Sequence, residues 1–199
     1  AFKTAGMSAN EYMTTVTGVS ASLLQSLGGD TKQAADMANM AVTDMADNAN
    51  KMGTSMESIQ YAYQGFAKQN YGMLDNLKLG YGGTKEEMAR LLAEATKISG
   101  IKYDMSSLSD VYSAIHVVQT EMGITGTTAK EASSTIQGSF AAMKSAWENF
   151  TTGMADPDQD MGVLLDNLVD SVVTFGENIV PRIVEMAPRL VDGITQLGE

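Results

Sequence analysis

Apolar residues in this chain recur at steps of three and four along most of its length, and no segment alternates in steps of two. Steps of three and four place side chains on one face of an α-helix, whereas alternation would mark a strand. The first stripe is Met13, Val16, Leu23 and Leu27, stopped at Gly28-Gly29. A second, Met37, Met40, Met45 and Met52 interleaved with Ala34, Ala38, Ala41 and Ala49, ends near Gly53. Met56, Ile59, Tyr63 and Phe66 form a third; Met88, Leu91, Ala95 and Ile98 form a fourth that stops at Gly100. Leu108, Val111, Ile115, Val118 and Met122 mark a fifth, closed by Gly123, and Ile136, Phe140, Met143, Trp147, Phe150 and Met154 a sixth. Short connections between such helices favour antiparallel neighbours. Residues 1–155 are therefore expected to fold as an all-α, antiparallel helical bundle of about six helices.

Helix starts carry their own signal. A Ser, Thr or Asp side chain can accept the N–H three residues on, and a carboxylate or amide there can answer it. Ser8-x-x-Glu11, Asp30-x-x-Gln33, Thr54-x-x-Glu57, Thr84-x-x-Glu87, Ser107-x-x-Asp110 and Thr128-x-x-Glu131 all fit that pattern.

Past Asp156-Pro157-Asp158 the pattern changes. Met161, Leu165, Leu168, Val172, Phe175, Ile179, Ile183, Met186, Leu190, Ile194 and Leu197 keep the helical step to the chain end, widened by Val169, Val173, Val180, Val184 and Val191. The first half is near-heptad, as in helices that pack lengthwise on another helix. Pro181 and Pro188 fall inside it, and an interior proline removes a hydrogen bond and kinks a helix. Residues 156–199 are expected to be an acidic turn and a long, proline-kinked amphipathic C-terminal helix, separate from the bundle. Leu165, Leu168, Val172, Phe175, Ile179, Ile183, Met186 and Leu190 form its candidate partner-contact face, for self-association or for a partner beyond Glu199.

The stretch from Gln69 to Leu92, QNYGMLDNLKLGYGGTKEEMARLL, joins two helices through Gly72, Gly80, Gly82 and Gly83. Glycines that dense suggest backbone angles other residues resist, so this is a built turn. It is not a phosphate loop: that cradle needs a lysine and then a hydroxyl directly after its last glycine, and here Thr84 precedes Lys85, with Glu86 and Glu87 following. The dinucleotide pattern fails too, since Gly80-Tyr81-Gly82 runs into Gly83, Thr84 and Lys85 with no strand before it.

Composition narrows the chemistry. The 199 residues include no cysteine and one histidine, His116, which removes disulfides, thiolate metal sites and multi-histidine centres. No apolar run is long enough to span a bilayer. Thirteen basic residues against 24 acidic give a net charge of −11, contrary to what phosphate neutralisation requires, so no nucleic acid partner is expected. The basic residues cluster: the block from Lys68 to Lys102 is +2 and the remainder −13. The chain begins at Ala1 without a leader, which reads as a piece of something longer.

Candidate sites are few. Asp156-x-Asp158-x-Asp160 resembles the start of a calcium loop, yet positions six and twelve are Met161 and Asn167 where glycine and glutamate belong. His116 has Asp110 and Glu121 six and five residues away, a poor helical spacing for contact, and reads as a packed histidine. Trp147 and Phe150 belong to a helical stripe and are expected in the core. The fifteen methionines suit a soft helical core. No metal, cofactor or catalytic residue is expected.

Two blocks point further. MLDNLKLGYGGTKEEMARLL, Met73 to Leu92, resembles M-L-D-N-L-K-L-G-Y-x-G-T-K-x-E-M-x-R-L-L of the tail tape measure proteins of long-tailed bacteriophages and prophages of Gram-positive bacteria. AIHVVQTEMGITGTTAKEASSTIQGSFAAMKSAWENF, Ala114 to Phe150, is similar to the same family's A-I-x-x-x-Q-x-x-x-G-I-T-G-T-T-x-x-E-A-x-x-T-I-x-G-S with its following tryptophan. NEYMTTVTGVSASLLQSLGGD and MADNANKMGT resemble the preceding helices. Asp75, Asn76, Gly80, Gly82, Gly83, Thr84 and Glu87 in the first block, and Gly126, Thr128 and Glu131 in the second, are the turn and capping residues of these motifs. The resemblance implies a structural protein of the tail-tube lumen, assembled in the host cytoplasm, setting tail length and leaving with the DNA at ejection. It implies the tail tube protein, tail tip or distal tail proteins and an assembly chaperone as partners. A membrane-perturbing role with transient membrane contact is the alternative, and a wall-degrading enzyme a distant third.

Overall fold

The computed structural model describes residues 5–196, with side chains described through Met186. Among them the chain is 74% helical, with eight α-helices and no strand. They are α1 (Ala9–Leu23), α2 (Thr31–Met52), α3 (Met56–Ala67), α4 (Lys85–Ser99), α5 (Leu108–Glu121), α6 (Thr127–Ser134), α7 (Ile136–Gly153) and α8 (Met161–Gln196); a single 3-10 turn, Leu74–Leu77, lies between α3 and α4.

Four N-caps stand at the expected residues: Ser8, Asp30, Thr84 and Ser107 accept the N–H groups of Glu11, Gln33, Glu87 and Asp110. Two do not. The cap of α3 is Ser55, accepting from Ser58, while the Thr54 hydroxyl donates to the carbonyl of Asn76. Thr128 lies inside α6, which begins after left-handed Gly126 without a side-chain cap of its own. Gly53 and Gly100 end α2 and α4 in the left-handed conformation, which closes a helix at little steric cost in glycine.

The main core lies between α2, α3, α4 and α5. Tyr63, Phe66, Tyr112, Met45, Ile59, Met88, Leu91 and Ile115 are fully buried there. Tyr63 packs on both Phe66 and Tyr112, at ring-centroid distances of 5.6 and 4.9 Å. Three stripe residues, Met13, Ile98 and Met122, face solvent instead. Each lies towards one end of its stripe.

The glycine loop belongs to this core. Leu74, Leu77 and Leu79 are buried, so the loop delivers leucines as well as turning the chain. Its glycines act differently from expectation: Gly80 alone of the four has positive φ, and Gln69 and Lys78 adopt it as non-glycine residues. Gly83 is required by contact, because a Cβ there would run into the carbonyl of Gly72.

The sixth stripe needed the largest correction. The stripe from Ile136 and the separate helix start near Thr128 become two helices, α7 and α6, divided at Thr135, which is extended and caps α7 by accepting from Gly138. Ser133, Ser134 and Thr135 all donate to carbonyls of Lys130 or Glu131, the local bonding by which hydroxyl residues compete with helix continuation. Gly138 then approaches the backbone of Glu131 so closely that a Cβ would not fit.

The face of α7 is also reversed. Its buried residues are Ser139, Ala142, Ser145, Ala146 and Gly153, whereas Ile136, Phe140, Trp147 and Met154 are exposed. The expectation that Trp147 lies in the core is overturned: it is 57% exposed. The small-residue face receives α8. Leu168 packs on Ala142 and Ala146, Leu164 reaches Gly153, and Asn178 Nδ2 donates to the carbonyls of Ser133 and Thr135 at 3.4 Å. The expected separation of the last helix therefore gives way to an α7–α8 hairpin. α8 is assigned as one helix through Pro181 and Pro188.

Candidate partner-contact face and the buried polar row

The α7–α8 pairing brings the two apolar stripes to one side. Residues 153 and 164, 146 and 168, and 135 and 178 are neighbours, so the helices run antiparallel. Phe140 meets Phe175 with ring centroids 5.5 Å apart, and Trp147 stands 6.2 Å from Phe150. Phe140 and Trp147 on α7 and Leu165, Val172, Ile183 and Met186 on α8 are all large, apolar and about half exposed. Of the predicted contact face, Leu168, Phe175 and Ile179 are half-buried, Leu168 against α7. The side chain of Leu190 lies outside the described residues.

The turn residues are fastened to their surroundings. Asn76 Nδ2 donates to the carbonyl of Ser58 at 3.2 Å, and Lys78 Nζ to that of Met52 at 3.1 Å. Glu87 accepts from the Gly82 N–H and from Arg90, whose guanidinium also donates to the Gly80 carbonyl and lies 4.3 Å above the Tyr81 ring. The Arg90 bond, then the Gly82 N–H, hold the Glu87 carboxyl below its usual range. Asp75 is exposed within the 3-10 turn, and the Glu131 carbonyl accepts from Thr135. These two motifs stay apart as turn and helix-start structures.

A row of buried polar residues on α2 lies outside the sequence expectations. Asp44, Asp47 and Asn48 are 1%, 0% and 0% exposed. Asp44 and Asn48 both reach α5, and Asp47 reaches α6. His116 Nδ1 lies 2.9 Å from both Asp44 carboxylate oxygens. Asp47 accepts from the N–H groups of Gly126 at 2.6 Å and Thr128 at 2.8 Å, so a carboxylate on α2 caps α6. Asn48 Nδ2 donates to the Leu77 carbonyl and to Gln119 Oε1. Asn48 Oδ1 is buried without a hydrogen-bond partner, and the Tyr63 hydroxyl is buried beside the Gln119 side chain. A signal was present: polar residues at Asp44, Asp47 and Asn48 share a face with Ala41 and Met45.

Burial raises the Asp44 carboxyl, while its bond to His116 opposes that; the same bond raises His116. Both displacements mean that the pair holds its proton more tightly than the unfolded chain does. His116 thus has a carboxylate behind one ring nitrogen, but among the described residues no hydroxyl nucleophile bonds to its ring. No group of three His, Cys, Asp or Glu side chains among the described residues is placed to hold a metal ion. No described helix is long and apolar enough to cross a membrane. The chain matches no known protein family, no curated protein and no solved structure.

Proposed function

We propose that this chain is a helical module of a phage tail tape measure protein, acting by shape and apolar burial and without a catalytic centre. The observation that carries the interaction role is the two-helix apolar face of α7 and α8, with Phe140, Trp147, Leu165, Val172 and Ile183 open to solvent. Exposed apolar patches of that breadth mark contact surfaces. The resemblance of Met73–Leu92 and Ala114–Phe150 supplies the identity of the assembly, and with it the tail tube, tail tip and chaperone as partners.

In this reading α1 to α5 form the antiparallel bundle and Pro181 and Pro188 are bend points of α8, since each lacks the N–H that would continue the helix. A fully helical 199-residue chain would extend ~300 Å. The short helices and buried α2–α5 core instead suit a compact module attached to the ruler. The acidic residues Asp166, Asp170, Glu177 and Glu185 on α8 disfavour membrane insertion, where interfacial helices carry a basic polar face.

The test is to purify tails from the phage or prophage encoding this chain and search them for its peptides, then mix the protein with the tail tube and tip proteins. Presence in tails, and binding lost in a Phe140→Ser/Trp147→Ser/Val172→Ser variant, is expected. Tails lacking the chain would end the assignment. Binding unaffected by the triple variant would end the role of the α7–α8 face.

A further inference from the structure

None of the eight residues of α6 is buried, and Ala132 packs it on α7. Its start is fixed from outside by Asp47, which receives the Gly126 and Thr128 N–H groups, while the Thr127 hydroxyl donates to the Asp47 carbonyl at 3.2 Å. One turn earlier on the same face of α2 stands Asp44 with His116. Two carboxylates are thus buried three residues apart, and among the described residues neither has a lysine or arginine ion-pair partner. The imidazole of His116 is their nearby cationic group, and its side chain is 34% exposed, open to exchange with solvent.

We propose that Asp44, His116 and Asp47 form a proton-linked fastening that holds α6 against α2 while His116 is charged, and loosens when His116 is neutral. The facing groups are Asp44 and Asp47 from α2, Tyr63 from α3, Tyr112 and His116 from α5, and the N–H groups of Gly126 and Thr128 from α6. Burial raises both tyrosines, so they stay neutral while His116 titrates. Losing the imidazolium leaves two buried carboxylates repelling one another, and a buried charge is tolerated only when compensated. Asp47 relieves that repulsion by moving out of the row, which releases the N–H groups at the start of α6.

The sign follows from the raised His116. Its contribution is complete below the ordinary histidine value near pH ~6.5 and is lost as pH rises through the higher folded value. Amide hydrogen exchange of the whole chain at pH 6 and pH 9, corrected for intrinsic rates, tests it. Residues 128–134 are expected to lose protection by about tenfold at the higher pH, while α4 does not change. In His116→Gln, which keeps a hydrogen-bonding side chain but cannot charge, that difference should disappear. Wild-type α6 equally protected at both pH values would overturn the proposal, as would His116→Gln retaining the difference. Should the variant fail to fold, imidazole nitrogen shifts of the wild type decide: the midpoint of α6 opening must coincide with that of His116 titration, and separate midpoints refute the linkage.

Discussion

At the residue scale, glycines differ in use: some end helices at positive φ, some allow close approach, and some are merely tolerated. Gly83 abuts the Gly72 carbonyl, whereas a Cβ at Gly18, inside α1, would meet nothing within 4 Å. Gly83→Ala is expected to destabilise by ~2 kcal/mol, as overpacking against a fixed neighbour does. Gly18→Ala should stabilise by up to ~1 kcal/mol through helix propensity. Urea unfolding of both variants checks the pair; equal effects would mean that the loop can give way at Gly72. The importance of Gly83 was legible in the density of the glycine block, but its reason was not, since a steric approach between residues 72 and 83 leaves no local pattern. His116 shows the same limit. Spacing excluded a carboxylate on its own helix, and its partner Asp44 arrives from α2, 72 residues away.

At the element scale, periodicity identified which residues share a face and could not say which way the face points. On α7 the large residues Ile136, Phe140 and Trp147 outweigh Ala142 and Ala146 on any hydrophobic count, yet the small ones are buried because they let α8 come close. Ala146→Leu is therefore expected to cost ~1–3 kcal/mol and to splay the hairpin. Near-ultraviolet dichroism and the accessibility of Leu168 neighbours to labelling would report it. A neutral result would show that α8 is not seated on Ala146. Trp147, the chain's one tryptophan, provides a second check: its emission should be red-shifted and fully quenched by acrylamide. A blue-shifted, protected signal would contradict its place on the open side. The start of α7 is legible as the first residue of the Ile136–Met154 stripe, and the end of α6 in the hydroxyl run Ser133-Ser134-Thr135.

At the scale of the whole molecule, the helical class followed directly from the 3/4 spacing and the absence of alternation. The pairing of helices did not, because it depends on contacts such as Asp47 with Gly126 and Asn178 with Ser133. Charge acts at this scale too. With a net charge of −11, the protein should show no retention of duplex DNA at ~0.15 M salt, where attraction needs a surplus of lysine and arginine. A gel-shift titration checks this, and a stable complex would require a locally cationic surface on the Lys68–Lys102 block.

The unequal lengths of α7 and α8 have a mechanical result. α7 has 18 residues and α8 has 36, and among the described residues the last hydrogen bond from α8 to another element is at Asn178. The side chains from Val180 to Met186 are all exposed, so beyond Asn178 roughly 12 Å of helix stands clear of the other elements. A tilt of about ten degrees at that root would carry Met186 ~2 Å, given the helix rise. Adjustments too small to disturb the Asn178 anchorage are thereby amplified at the far end of the arm.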